Sequence, residues 1–253
     1  IYAGDYKDVG DCAVIIITAG TSQKPGETRT ALVGRNVEIF RSVLPEITRQ
    51  AFEGILLIVS NPVDILTYVT WKLSGLPKER VIGSGTVLDT ARFRYLLSEH
   101  LNVDSSSVHA MIIGEHGDSE LAVWSGANVW GIEINHFCEI RGFFNHQQEM
   151  DRIYRQVRDS AYEIIEKKGA TYYGVAMAVG RICESIIRNE HAVLPVSGLM
   201  CGEYGLEDLC ISAPAIVGSG GLEKVLEIPL NRKEQAELEH SADQVKQILR
   251  KVN

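Results

Sequence analysis

Three short apolar runs alternate with two helix-length segments in the first 84 residues, and this alternation limits the fold more than any other feature of the chain. Residues 12–18 (CAVIIIT) are a continuous apolar run rich in β-branched side chains, the pattern of a strand buried on both faces. Residues 29–50 carry Leu32, Val33, Ile39, Phe40, Val43, Leu44 and Ile47 at helical spacing, and Pro45 is expected to kink or end that helix. Residues 55–59 read as a second buried strand, 63–73 as a helix with Pro62 near its first turn, and 81–82 as a short third strand. Strand, helix, strand, helix, strand with short connections is a βαβαβ unit, which implies parallel strands and right-handed crossovers. One such unit is half of a Rossmann-like dinucleotide-binding sheet. The other half carries a G-x-G-x-x-G turn and an acidic residue about 20 positions further on. Neither precedes residue 12, so a first βαβ half of roughly 60 to 80 residues is expected to be missing.

After Gly85 the pattern changes. Residues 87–100 read as a helix and 108–113 (VHAMII) as a strand, with 121–124 and 129–134 as a twisted antiparallel pair. Ile153, Val157, Ala161 and Ile164 make a helical stripe closed by Lys167-Lys168-Gly169. A second helix is expected over 171–188, strands over 192–199 and 209–217, and a closing helix on the stripe Leu238, Ala242, Val245, Leu249. The expected organisation is a partial dinucleotide-binding domain over residues 1–84 and a catalytic α+β domain over 85–253. The boundary at Gly83-Ser84-Gly85 is too short to be a flexible tether.

Composition narrows the classes of function. Acidic residues outnumber basic ones 33 to 25, giving a net charge of −8, which argues against a phosphate-backbone partner such as nucleic acid. No apolar run approaches the length needed to span a bilayer, so no membrane partner is expected. The five cysteines are odd in number and widely spaced, with no C-x-x-C pair. Neither a metal centre nor a disulfide framework is indicated, and the usage fits a cytoplasmic protein.

Ligands of open α/β sheets bind beyond the carboxyl ends of the strands. The first strand end leads into a polar loop between Gly20 and Gly26, which reads either as a hinged lid or as an ordinary connection. The second ends in Ser60-Asn61-Pro62-Val63-Asp64, where Asn61 could cap a helix or face a ligand. Asp89 and Arg92 share a helical face. Such a pair is either a surface ion pair of little worth or an inward-facing set, the Arg gripping a carboxylate and the Asp orienting a base. His116 lies between Gly114 and Gly117 at the end of a buried strand; it is either structural or a proton shuttle open to a ligand.

The segments Ile17-Thr18-Ala19-Gly20, Gln23-Lys24-Pro25-Gly26-Glu27-Thr28-Arg29, Ser60-Asn61-Pro62-Val63-Asp64, Leu88-Asp89-Thr90-Ala91-Arg92, Gly114-Glu115-His116-Gly117-Asp118 and Lys167-Lys168-Gly169-Ala170-Thr171-Tyr172-Tyr173-Gly174 occur in order along the chain. Together they resemble the bacterial NAD-dependent L-lactate dehydrogenases. The resemblance implies that His116 protonates the pyruvate carbonyl oxygen and recovers the proton in lactate oxidation. Asp89 would orient its imidazole, Arg92 would bind the substrate carboxylate, and Arg29 on the lid would polarise the carbonyl. Asn61 would bond the same region and Thr171 would sit near the substrate methyl group. Gly20, Thr21, Ser42, Val59, Ser60, Asn61 and Ser84 would contact NAD, with Tyr6 near its adenine side.

Gln23 stands where the sibling malate dehydrogenases have an Arg. A second substrate carboxylate would lack a counter-charge there, which favours pyruvate over oxaloacetate. Arg94 and His109 match positions that hold fructose bisphosphate at a subunit interface in the bacterial enzymes it activates, implying an allosteric homotetramer; the other reading is that both are solvated surface residues. The alternatives are a malate or other 2-hydroxy-acid dehydrogenase, and a non-catalytic fragment of this fold.

Overall fold

The computed structural model describes residues 1–21, 29–143, 146–169 and 171–252. β1 (Val14–Ile17), β2 (Ile55–Ile58) and β3 (Val81–Gly83) are parallel neighbours, connected through α1 (Arg29–Thr48) and α2 (Val63–Ser74). β2 reads ILLI because both its faces are covered, and all four of its residues are buried. β1 departs from the expectation: Ile17 is buried but Ile16 is 43% exposed, so this strand is not covered on both faces. α1 runs on past Pro45. The proline lies on the exposed side near the C-terminal end, while Leu44 and Ile47 bury beside it, and their burial outweighs one lost backbone bond.

The chain continues through α3 (Val87–Leu101), β4 (Val108–His109), β5 (Ile112–Ile113), β6 (Leu121–Ala122), β7 (Asn128–Val129), β8 (Ile132–Glu133), α4 (Ile134–Ile140), α5 (His146–Lys168), α6 (Tyr173–Arg188), β9 (Ala192–Cys201), β10 (Glu207–Gly218), β11 (Gly221–Val225) and α7 (Arg232–Val252). The parallel strands do not stand alone. β9 lies antiparallel beside β3, with Gly83 opposite Ser197, and the six-stranded order is β1-β2-β3-β9-β10-β11. The chain crosses from β3 toward α3 at Gly85, whose φ is +54°. A Cβ there would fall 2.6 Å from the Ser197 backbone nitrogen, so only glycine fits.

The segment 108–113 is not one strand. β4 and β5 belong to different sheets, and side chains of α3 and its N-cap take backbone groups of Ala110 and Ile112. Arg94 Nε donates to the Ala110 carbonyl at 2.8 Å, Thr86 Oγ1 donates to the Ile112 carbonyl at 2.6 Å, and Thr90 Oγ1 accepts the Ile112 N–H at 2.9 Å. The expected pair of 121–124 with 129–134 does not form either. β6 pairs with β5, whereas β7 pairs with β4 and turns through Trp130 and Gly131, both at positive φ, into β8. The β10–β11 hairpin was not anticipated, although Gly218-Ser219-Gly220-Gly221 is a turn signal.

The larger core joins the six-stranded sheet to α1, α2, α6 and α7, and a smaller one gathers Phe93, Leu97, Ile134 and Ile153 among α3, α4 and α5. No helix among the described residues is long and apolar enough to cross a membrane.

Candidate active site

Residues at the carboxyl ends of β2 and β3 line one cleft, and a buried side chain from α1 ties the end of β2 to that of β1. Asn36 Oδ1 accepts the Thr21 N–H at 2.8 Å, and Asn36 Nδ2 donates to the Asn61 carbonyl at 2.8 Å. Ser60 Oγ donates to the Ala19 carbonyl at 2.6 Å, joining the same two strand ends. Asn61 is exposed and does not cap α2; its neighbour Pro62 holds the cap position. Gly20 and Thr21 lie exposed at the mouth of β1.

His116 is held through the backbone of its own and the two preceding residues. Gly114 exchanges two backbone hydrogen bonds with Ser212 of β10, at 2.9 and 3.1 Å. The Glu115 N–H donates to Ser241 Oγ of α7 at 2.8 Å. The His116 N–H donates to Asp64 Oδ2 of α2 at 2.8 Å, and Ser197 Oγ donates to the other oxygen of Asp64 at 2.6 Å. Four elements thus fix three consecutive residues. Asp64 stands in the Asn-Pro-Val-Asp run, yet nothing in that run gave it a role. Its place in the first turn after the proline is the signal that could have found it. Burial pushes its carboxyl up to about 6, against its hydrogen bonds from Ser197 and His116.

His116 Nδ1 is 2.7 Å from Asp89 Oδ2. A carboxylate only accepts at that distance, so Nδ1 carries hydrogen and Nε2 is the nitrogen free to exchange a proton. Burial disfavours the imidazolium, but the Asp89 carboxylate, its hydrogen bond, and the nearby Glu120 and Asp64 together push the His116 pKa up to about 9. Burial opposes Asp89's charge too, yet His116 and Arg92 hold its carboxyl below the usual range. Arg92 Nη1 is 3.4 Å from the second Asp89 oxygen, and 19% of the Arg92 side chain is exposed. The inward-facing arrangement is the one adopted.

One cleft brings together Val59, Asn61, Ser84, Arg92, His116 and Thr171. Apolar side chains line it too, from Leu88 of α3 and from Val175 and Ala178 of α6. A flat heteroaromatic ring bearing a carboxamide suits such a cleft, with apolar contacts for its face and polar groups for its edge. Other candidates fall elsewhere. Ser42 is exposed on α1 and donates to its own helix at Ile39, and Tyr6 is exposed on a single 3-10 turn; neither lines this cleft. Arg94 is tied to the backbone beside His109, and burial lowers its pKa, while His109 is exposed on β4. Gln23 and the side chain of Arg29 lie outside the described residues.

Residues 1–83 match the family profile described as lactate/malate dehydrogenase, NAD binding domain, and residues 86–253 match that for the lactate/malate dehydrogenase alpha/beta C-terminal domain. An L-lactate dehydrogenase of Acetivibrio thermocellus is 55% identical over 250 residues, covering 99% of this chain and 79% of that protein. One from Bacillus caldolyticus is 52% identical, covering 98% and 78%. The crystal structure of a minor L-lactate dehydrogenase from Enterococcus mundtii, in its ligands-bound form, superposes with a TM-score of 0.95 at 44% identity, covering 99% and 79%. With a strand-end crevice suited to NAD and a histidine–aspartate–arginine cluster beside it, the chain belongs to the lactate/malate dehydrogenase family, among its NAD-dependent L-lactate dehydrogenases.

Proposed function

We propose that His116 is the general acid–base of pyruvate–lactate interconversion, oriented by Asp89, with Arg92 anchoring the substrate carboxylate. The observation that carries this reading is the 2.7 Å contact of His116 Nδ1 with Asp89, with Arg92 against the same carboxylate at the wall of one cleft. NADH supplies the hydride when bound. In pyruvate reduction, protonated His116 gives its Nε2 proton to the carbonyl oxygen as the carbonyl carbon accepts the hydride, and lactate forms. In lactate oxidation, neutral His116 takes the hydroxyl proton at Nε2. Asp89 keeps its charge throughout and stabilises the imidazolium. The planar fork of Arg92 holds the substrate carboxylate and so fixes which end of the molecule meets His116.

The remaining assignments complete this reading. Arg29, at the start of α1, polarises the carbonyl and Asn61 bonds the same oxygen. Thr171 borders the methyl group. Gln23 supplies no cation for a second carboxylate, so pyruvate is preferred to oxaloacetate. Gly20, Thr21, Val59, Ser60, Asn61 and Ser84 hold the cofactor, with Ser42 and Tyr6 toward its adenine half. Arg94 and His109 bind fructose bisphosphate between subunits of a cytoplasmic homotetramer, where an anion relieves the repulsion of facing cations. Residues 1–84 and 85–253 act as the cofactor and substrate domains.

The test is NADH oxidation with pyruvate and with oxaloacetate in parallel, each with and without fructose bisphosphate. Faster turnover of pyruvate, raised by the bisphosphate, is expected. Equal or faster turnover of oxaloacetate contradicts the role of Gln23, and indifference to the bisphosphate contradicts that of Arg94 and His109.

A further inference from the structure

Behind the Asp89–His116 pair lies a third titratable side chain that the mechanism does not use. Glu120 is 5% exposed, and its Oε1 has no hydrogen-bond partner. Its backbone is held on both sides: its N–H donates to the Gly117 carbonyl at 3.2 Å, and its own carbonyl accepts the Tyr154 hydroxyl. Atoms of the Glu120 and Asp89 carboxylates and the His116 ring all lie within 4.8 Å of one another. A buried, unpartnered acid this close to a second carboxylate is costly to ionise. Burial and Asp89 push its pKa up to about 8, against His116, Arg92 and Arg158.

We propose that Glu120 is a positioning residue for the catalytic proton: its negative charge, when it forms, holds the proton on His116 and sets the upper pH limit of pyruvate reduction. This rests on the reading of His116 as the general acid. Near neutrality Glu120 is uncharged and leaves the site to Asp89 and Arg92 of α3. As the pH rises it ionises, and a second carboxylate beside the imidazolium makes that proton harder to lose. The pair therefore titrates in linked steps. Glu120 can lose its own proton without crossing the substrate cleft, because it also lines a separate open cleft with Asp118, Tyr154 of α5, and Lys233, Glu237 and His240 of α7. The charges facing that side are mixed and partly paired, as in Lys233 with Glu237 at 3.7 Å, so the nearby Asp89 and His116 dominate.

The experiment compares the parent with Glu120→Gln, recording kcat/KM for pyruvate and for lactate from about pH 6 to 10, with NADH affinity confirming an intact fold. Both the alkaline fall for pyruvate and the rise for lactate are expected to move down by about one pH unit. Limbs that stay in place overturn the proposal. Glu120→Asp retains an acid and is expected to bring both limbs back toward the parent. Limbs that move as in the Gln variant mean that side-chain shape, and not charge, is responsible, and also overturn it. A parent profile with no limb at all overturns the assignment of His116 itself.

Discussion

Asp89 serves two partners with its two oxygens, a division of labour on which the proposed chemistry depends. One oxygen meets His116 Nδ1 at 2.7 Å and the other meets Arg92 at 3.4 Å. Replacing the carboxylate by an amide keeps the shape but removes the charge that raises the histidine's pKa. The amide can also present N–H to Nδ1, which selects the wrong tautomer. Asp89→Asn is therefore expected to lower kcat for pyruvate about a hundredfold or more, and to move the alkaline fall of the pH profile downward. The sign follows from the folded-state pKa of about 9, which lies above the ordinary 6.5 because of Asp89, so losing Asp89 brings it down. Steady-state rates across pH check this; an unmoved limb would show that Asp89 does not hold the proton.

The helix stripes and apolar runs were legible because burial imposes them: β2 is apolar throughout, and α5 and α6 bury Ile153, Val157, Ile182 and Ile186 as the spacing predicts. The segment 108–113 was misread because distant side chains satisfy its backbone. Thr86, Thr90 and Arg94 divide 108–113 into two strands, and nothing local to that segment announces it. The same holds for the crevice rim. Asn36 is buried at 1% exposure within a helix, and its amide groups bond Thr21 and Asn61, 15 and 25 residues away. Asn36→Leu keeps the helix but takes the side-chain partners from the Thr21 N–H and the Asn61 carbonyl. It is expected to cost about 1–3 kcal/mol of stability and to weaken NADH binding more than it changes kcat. Thermal unfolding and NADH titration test it; an unaltered NADH affinity would separate Asn36 from the cofactor site.

At the scale of the molecule, the six-stranded sheet carries both halves of the proposed chemistry. Its parallel edge presents the strand ends suited to NAD, and β9 and β10 support the loop of His116 through Ser197 and Ser212. Six ordered motifs mark Asp89, Arg92 and His116 in the sequence, and the fold brings these three side chains into contact. The supports at Ser197 and Ser241 were not readable, since each meets the histidine loop or its partner Asp64 only when remote segments come together. On the proposed mechanism this sheet assembles a proton donor separately from a cofactor site. His116→Ala tests it most directly, with NADH affinity and pyruvate turnover measured on one preparation. Retained NADH binding with turnover lowered by a factor of about a thousand or more is the predicted result. Near-parental turnover would contradict the account by removing His116 from the proton transfer.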